Sequence, residues 1–520
     1  MADTQTQQTK QTKQAAGART VSPAKTLSVF SLAMISVGAV LSVRNYPSMA
    51  VYGWSSIGWY VLGTLLFLIP LTLSSAELAT GWSSGGGVYE WVKVAFGEKA
   101  GFIAVFCEWS NNIVWFPTVL SFIAGTLAYA INPKLADNGW FMFVTMMAVF
   151  WLSTLTAWLG PKITARINNL GVVLGSLVPS ALLIAFGVAY VVAGKHSALP
   201  AFSLPAALPS LKPSTLPFVA TVVLLFAGME MSGFHALEVK DPKRDFPVGM
   251  GIAALVVFAA SVLCTLAMGL VIPAKDLKLA SGIMEAFQTF LKAFSLSGLV
   301  PFCAVLIALG GFALLTTWLV GPILGLGVTA RAGDMPPVSR RVNKHGIPVN
   351  MLVFQGIIAT VVSFAYVVFP SVNQAYWVLS AITVMLMCIT YMLVFAAVIR
   401  LRIKRPDVPR AFKIPGGLPG VWIVGGLGFV ATAFTFIVGI LPPSGMELFK
   451  LGSGFHAEVA TFLSSAVSKK VAEVVAADMV KFIPAVAYSA IILIGTAILA
   501  LPPLVFLRLK KPSWVSKDPD

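Results

Sequence analysis

Charge is scarce in this chain. Of 520 residues, 11% are Asp, Glu, Lys or Arg, whereas 58% are hydrophobic and the mean hydropathy is +0.87. Soluble domains average about 25% charged and 45–50% apolar residues. So few charges cannot cover a soluble exterior of this size, so most of the surface must face lipid. Residues with catalytic or metal-binding chemistry are equally sparse. There are four histidines, of which His196, His345 and His456 fall in expected loops. The four cysteines, Cys107, Cys264, Cys303 and Cys388, each sit in an apolar run without metal-ligand or disulfide-framework spacing. They read as small buried hydrophobes. No His-Glu-x-x-His, nucleophile motif or P-loop occurs, which argues against a membrane enzyme and direct ATP drive, and no cofactor or metal is expected. Nothing resembles a repeated pore loop or a ring of charge, so a channel is disfavoured. Residues 1–25 are polar and lack the apolar core of a secretory signal, and they read as a disordered tail.

What is abundant is the long apolar run. Stretches of about 20 apolar residues suffice to cross a bilayer. Twelve are expected, at 28–50, 56–79, 101–131, 139–160, 169–194, 215–239, 247–272, 298–329, 349–369, 375–400, 419–441 and 482–507. Breakers such as Gly160-Pro161 and Pro442-Pro443 separate them. The net charge of +16 is no signal for nucleic acid, because Lys and Arg flank the apolar runs. With the N-terminus inside, 25 basic residues fall on the cytoplasmic side and 10 outside, with Arg44 left within a span. That bias predicts two cytoplasmic termini and an even number of spans. Two further segments, 283–294 and 459–479, show apolar residues at helical spacing but are too polar to span. They read as amphipathic helices at the outer surface.

Charge within a span costs about 2.5–3.5 kcal/mol per central residue on insertion scales, so it marks candidate functional positions. The candidates are Arg44 in the first span, Glu108 in the third, and Glu230 with His235 in the sixth. Glu77 and Glu238 lie near span ends within reach of water and weigh less. The first span runs Ser36-Val37-Gly38-Ala39-Val40-Leu41-Ser42-Val43-Arg44-Asn45-Tyr46-Pro47. The sixth runs Phe226-Ala227-Gly228-Met229-Glu230-Met231-Ser232-Gly233-Phe234-His235. Small and polar residues interrupt both. If ten helices form two five-helix halves, these are corresponding positions, where interrupted helices mark a transporter's central site. Simple kinks are the bland alternative. Arg44 either snorkels outward or pairs with an anionic substrate group. Glu230 is placed to take up a proton and couple it to gating. His235 lies five residues on, about 140° around the helix, so it need not share that face. Asn112 is one turn from Glu108 and shares its face.

Six segments in order carry a family resemblance over about residues 26–445. They are Arg44-Asn45-Tyr46-Pro47, Ala76 to Thr80 with Gly85 to Val92, Gly228-Met229-Glu230, Glu238 to Pro247, Trp318 to Pro322 with Gly346 to Val349, and Phe412 to Gly417. The chain resembles the amino acid–polyamine–organocation superfamily, and within it the bacterial glutamate:γ-aminobutyrate antiporters. The resemblance implies an all-α polytopic membrane protein of about 12 transmembrane helices with the LeuT-type fold. That fold has two inverted five-helix repeats and broken helices 1 and 6. It divides the chain into a tail (1–25), a ten-helix transport core (26–402), peripheral helices 11 and 12 with the outer loop (403–508) and a short tail (509–520). It implies a bacterial inner-membrane carrier that exchanges an amino acid for a related one or for its decarboxylation product.

The expected substrate contacts are Gly38, Val40, Leu41, Ser42, Arg44, Glu108, Asn112, Phe226, Gly228, Trp318 and Tyr391, with Glu230 and His235 in proton coupling or gating; of these the resemblance carries over Val40, Leu41, Ser42, Glu230, Trp318 and Tyr391 by position. Trp318 takes the position of an aromatic gate. Three departures set the chain apart. Arg44 replaces a tyrosine, Leu314 replaces a glutamate and Met387 replaces one of two tyrosines. A long C-terminal plug has no counterpart, since about a dozen residues follow Leu507. A cationic amino acid or polyamine exchanger, or a proton-coupled symporter, is the alternative. Arg44 disfavours cationic substrates by like-charge repulsion. The expected partners are a small amino acid and the lipid bilayer, with no nucleic acid; the oligomeric state is left open.

Overall fold

The computed structural model describes residues 28–82, 87–209, 216, 219–230, 239–241, 244–442 and 469–514. The expected tail at 1–25, His235 and Glu238 lie outside the described residues. Helices account for the regular structure. Among the described residues ten are long and apolar enough to cross a membrane, and a bent pair, Val29–Gly38 with Val43–Ala50, makes an eleventh candidate. The expected sixth span begins as a helix, Val219–Phe226, and turns at Ala227–Glu230. Its continuation over 231–238 lies outside the described residues.

The first span consists of α1 (Val29–Val40), a 3₁₀ turn (Val43–Asn45) and α2 (Tyr46–Ala50), with a bend of 42°. Leu41 and Ser42 adopt extended backbone there. The break therefore forms at residues that are not glycine. Next come α3 (Ser55–Gly81), which holds a π turn at Thr64–Leu68, the amphipathic α4 (Gly87–Phe96) and α5 (Glu98–Ile131). The hairpin partner of α5 is α6 (Gly139–Trp158). It leads into α7, built from Pro161–Val172, a π turn at Val173–Leu177 and Val178–Val192. The half-span α8 (Val219–Phe226) precedes α9 (Asp245–Val271), α10 (Gly282–Ala293) and α11 (Val300–Arg331). The chain ends through α12 (Val349–Ser363), α13 (Val372–Lys404), α14 (Gly417–Gly439), α15 (Lys469–Ala500) and α16 (Pro502–Leu509).

Polar content sorts some helices by depth. α5 carries Ser110, Asn112, Thr118, Ser121 and Thr126, all buried. Lipid cannot hydrogen-bond these groups, so the helix is driven to the middle of the bundle. Its membrane stretch is 83% buried and that of α13 78%, against 17% for Pro484–Leu509. Where α7 crosses α11, small residues let the backbones touch. A Cβ on Gly175 would lie 2.2 Å from the backbone of Gly310, so only glycine fits there. α10 seats its apolar stripe, Met284, Phe287 and Leu291, in the protein, as its spacing predicted. The second amphipathic segment differs from its expected form. Its residues 469–479 are the start of α15, continuous with the last span, and 459–468 lie outside the described residues.

The sequence reading of Glu77 also needs correction. Its side chain is 1% exposed and not within reach of water. Arg402 of α13 grips both its carboxylate oxygens, and the Ile414 N–H donates to it at 2.9 Å. Arg410 stands 3.4 Å away, stacked over Trp82 at 4.9 Å. Thr80 Oγ1 meets the Phe412 backbone. One carboxylate thus ties the end of α3 to the end of α13 and to the connection before α14. Burial pulls the Arg410 guanidinium below its ordinary value, while the charge of Glu77 opposes that shift. Removing one member of a buried ion pair leaves a buried charge unmatched, at about 3–5 kcal/mol. Glu77→Gln is therefore expected to lower the detergent-solubilised protein's Tm markedly. A melting curve superimposable on the wild type would show that the cluster fastens nothing.

Candidate functional site

The bend in the first span and the turn in the sixth face one cavity between α5, α11 and α13. It encloses about 690 Å³ of atom-free space, including the part open to solvent. Eight of the sequence-predicted residues line it: Val40, Ser42, Arg44, Glu108, Asn112, Glu230, Trp318 and Tyr391.

Arg44 sits in the 3₁₀ turn and is 2% exposed. It does not snorkel. Its Nη1 donates to Thr118 Oγ1 at 2.7 Å and to Tyr376 Oη at 3.3 Å. The guanidinium lies 5.4 Å from the Trp115 ring centre and 6.0 Å from that of Tyr376. Such aromatic faces attract a cation, though they do not neutralise it. Arg44 Nε is buried without a hydrogen-bond partner, and among the described residues no carboxylate lies within ion-pair distance. Among the described residues, the site therefore holds a buried positive charge with hydroxyl and ring partners.

Glu230 occupies the turn after α8 and is 4% exposed. Gly228 has φ +111°, a conformation that L side chains rarely adopt. The turn it makes aims its N–H at Glu230 Oε2, 3.1 Å away. Tyr391 donates its hydroxyl to Glu230 Oε1 at 2.9 Å. Neither Glu230 nor Glu108 has a basic partner among the described residues. Within α5, Asn112 donates Nδ2 to the Glu108 carbonyl one turn earlier, at 2.8 Å.

Four predicted residues stand outside the lining. Gly38 is on the face of α1 that meets Val172, where a Cβ would lie 3.3 Å from its methyl. Leu41 is buried in the core at the break, and Phe226 packs its ring 6.0 Å from Tyr60. Gly228 acts through its backbone on Glu230 and does not itself line the space. Asn45, Val88, Trp115, Leu224, Ala227, Thr383 and Thr390 also line the space, beyond the residues expected from the sequence. A signal for some of them exists. Thr383, Met387, Thr390 and Tyr391 recur at helical spacing on α13, as Glu108, Asn111, Asn112 and Trp115 do on α5. Leu314 and Met387, the two apolar replacements, both face the cavity, and Trp115 meets Trp318 edge-on at 5.9 Å.

The amino acid permease family model matches residues 27–453. An uncharacterized transporter of Legionella pneumophila is 39% identical over 427 residues, covering 81% of this chain and 90% of its own. A glutamate/gamma-aminobutyrate antiporter of Lactococcus lactis is 31% identical over 435 residues, covering 81% of this chain and 84% of its own. A probable agmatine/putrescine antiporter of the same species is 25% identical over 392 residues, 75% and 82% respectively. With its helical bundle, bent first span and shared cavity, the chain belongs to the amino acid permease family of the amino acid–polyamine–organocation superfamily, near the glutamate/γ-aminobutyrate antiporters.

Proposed function

We propose that the protein is a secondary carrier that exchanges an amino acid for a related amino acid or its decarboxylation product. The observation that carries this reading is the set of charges in the cavity that have no ion-pair partner among the described residues, Arg44 on one side of the balance and Glu108 and Glu230 on the other. An empty cavity must rearrange with those charges uncompensated in a low-dielectric bundle, which is unfavourable. A bound zwitterion supplies a carboxylate for the guanidinium and an ammonium for a carboxylate. Loaded forms then interconvert more readily than the empty one, so outward and inward flux are coupled. A guanidinium fork matches a substrate carboxylate bidentately. Trp318 closes over the bound molecule, and Glu230, held by Tyr391 and the Gly228 N–H, links protonation to the turn in the sixth span. The cell setting that fits is a bacterial inner membrane with both termini in the cytoplasm.

Proteoliposome flux tests the reading. Uptake should saturate and accelerate when the vesicles are preloaded with a transported amino acid, and flux that ignores the internal load would sink the exchange mechanism. Arg44→Ala should cut amino acid uptake by roughly 10- to 100-fold, the worth of a charge-assisted contact, while the purified protein still elutes as a monodisperse peak. Unchanged kinetics would remove Arg44 from the site. Glu230→Gln mimics the protonated form and should flatten the pH dependence of exchange. A profile identical to the wild type would count against a coupling role.

A further inference from the structure

Arg44 lines the cavity, but the two hydroxyls that hold it do not. Thr118 and Tyr376 are 0% and 4% exposed, and neither belongs to the lining. Both contacts fall on one nitrogen, Nη1. Among the described residues Nη2 and Nε have no hydrogen-bond partner. One corner of the guanidinium is thus fastened to α5 and α13, and the Nη2–Nε edge is not engaged. Such an edge can take a carboxylate with two parallel bonds. The Thr118 hydroxyl is itself oriented. It has one proton, which it donates to the Trp115 carbonyl at 2.7 Å, so toward Arg44 it can only accept. The next turn of α5 repeats the arrangement. Ser121 donates to the Thr118 carbonyl at 3.0 Å and accepts from the Tyr366 hydroxyl at 2.8 Å. Thr118 is therefore held at its hydroxyl and at its carbonyl within one buried ladder. An arginine stem is long and rotamer-rich, so a guanidinium without fixed acceptors spreads over several positions. The Trp115 and Tyr376 rings attract the charge, whereas the hydroxyls give it direction.

We infer that Thr118 is a positioning residue for substrate recognition, with Tyr376 as a weaker second holder. Thr118 fixes the Arg44 fork and so sets the preference for a carboxylate over an uncharged group at that place. The inference rests on Arg44 receiving a substrate carboxylate, as proposed above. Thr118 lies behind the lining and acts only through Arg44. Removing its hydroxyl leaves the positive charge in the cavity but frees its direction. The carboxylate then binds less tightly, while recognition of the rest of the molecule is kept. Tyr376 ranks second because its contact is longer, 3.3 Å against 2.7 Å.

An amino acid and its α-carboxamide distinguish the idea, since they share the side chain and the ammonium and differ in the anion. Uptake of labelled leucine, glutamate and lysine into proteoliposomes is measured first. Each transported label is then competed with the same amino acid and with its α-carboxamide. In the wild type the acid should outcompete the amide by roughly tenfold or more, and Arg44→Ala should erase that ratio. Thr118→Val, which keeps the shape and removes the hydroxyl, should lower the ratio by roughly threefold or more and raise KM with kcat little changed. Thr118→Ser should restore both, and Tyr376→Phe should lower the ratio by less. A Thr118→Val protein that loses flux with its acid-to-amide ratio intact has a merely structural threonine, which overturns the inference and leaves Arg44 in place. A serine variant as impaired as the valine one shows that the methyl matters and not the hydroxyl, and overturns it too. An unaltered ratio in Tyr376→Phe strikes Tyr376 from the assignment, and that measurement stands even if Thr118→Val fails to fold. Equal competition by acid and amide in the wild type overturns the carboxylate role of Arg44 and this inference with it, whereas uptake that still accelerates with internal load leaves exchange intact.

Discussion

An ionised group in the hydrocarbon region has no water to solvate it, so it must be paired, reach an interface or wait for a ligand. This protein resolves that constraint in two opposite ways. At Glu77 every demand is met inside the chain by two arginines and a backbone N–H. At Arg44 the demand is left partly open, with one nitrogen bonded to hydroxyls and another without a partner. The first arrangement fastens helix ends together. The second holds an unmatched charge in place, which is the condition of a binding site whose ligand supplies the missing counter-charge.

The backbone follows the same logic. A helix that stops within a membrane exposes carbonyls or N–H groups, and such breaks are tolerated only where protein or a cavity receives them. The first span breaks at Leu41 and Ser42, beside the cavity. The sixth turns at Gly228, whose N–H is taken up by Glu230. The break in the first span does not need glycine, since extended backbone at Leu41 and Ser42 is open to any residue.

Much of the site was legible from residues that are out of place in an apolar run. Arg44, Glu108 and Glu230 stand out because charge is costly there, and all three line the cavity. Val88, Leu224 and Ala227 were not legible, because an apolar lining residue looks like any other apolar residue. Gly38, Leu41 and Phe226 show the converse. They fall in the right segments, yet helix rotation turns them toward α7, the core and Tyr60. Glu77 misled because nearness to a span end is a statement about sequence, whereas its burial depends on the segment at 410–414 folding back over it.

Hydropathy and the scarcity of charge determined that the chain is a helical membrane protein, and they located most of its spans, because the bilayer requires a fixed length of apolar helix with its own hydrogen bonds satisfied. What they could not determine was which spans are central. α13 and Pro484–Leu509 are equally apolar, yet one is 78% buried and the other 17%. Lipid and protein interior are alike in polarity, so hydropathy does not distinguish them. Only the tertiary structure, through the packing of small residues and the pairing of polar groups, decided which faces meet. It alone set the guanidinium and the carboxylates around one cavity.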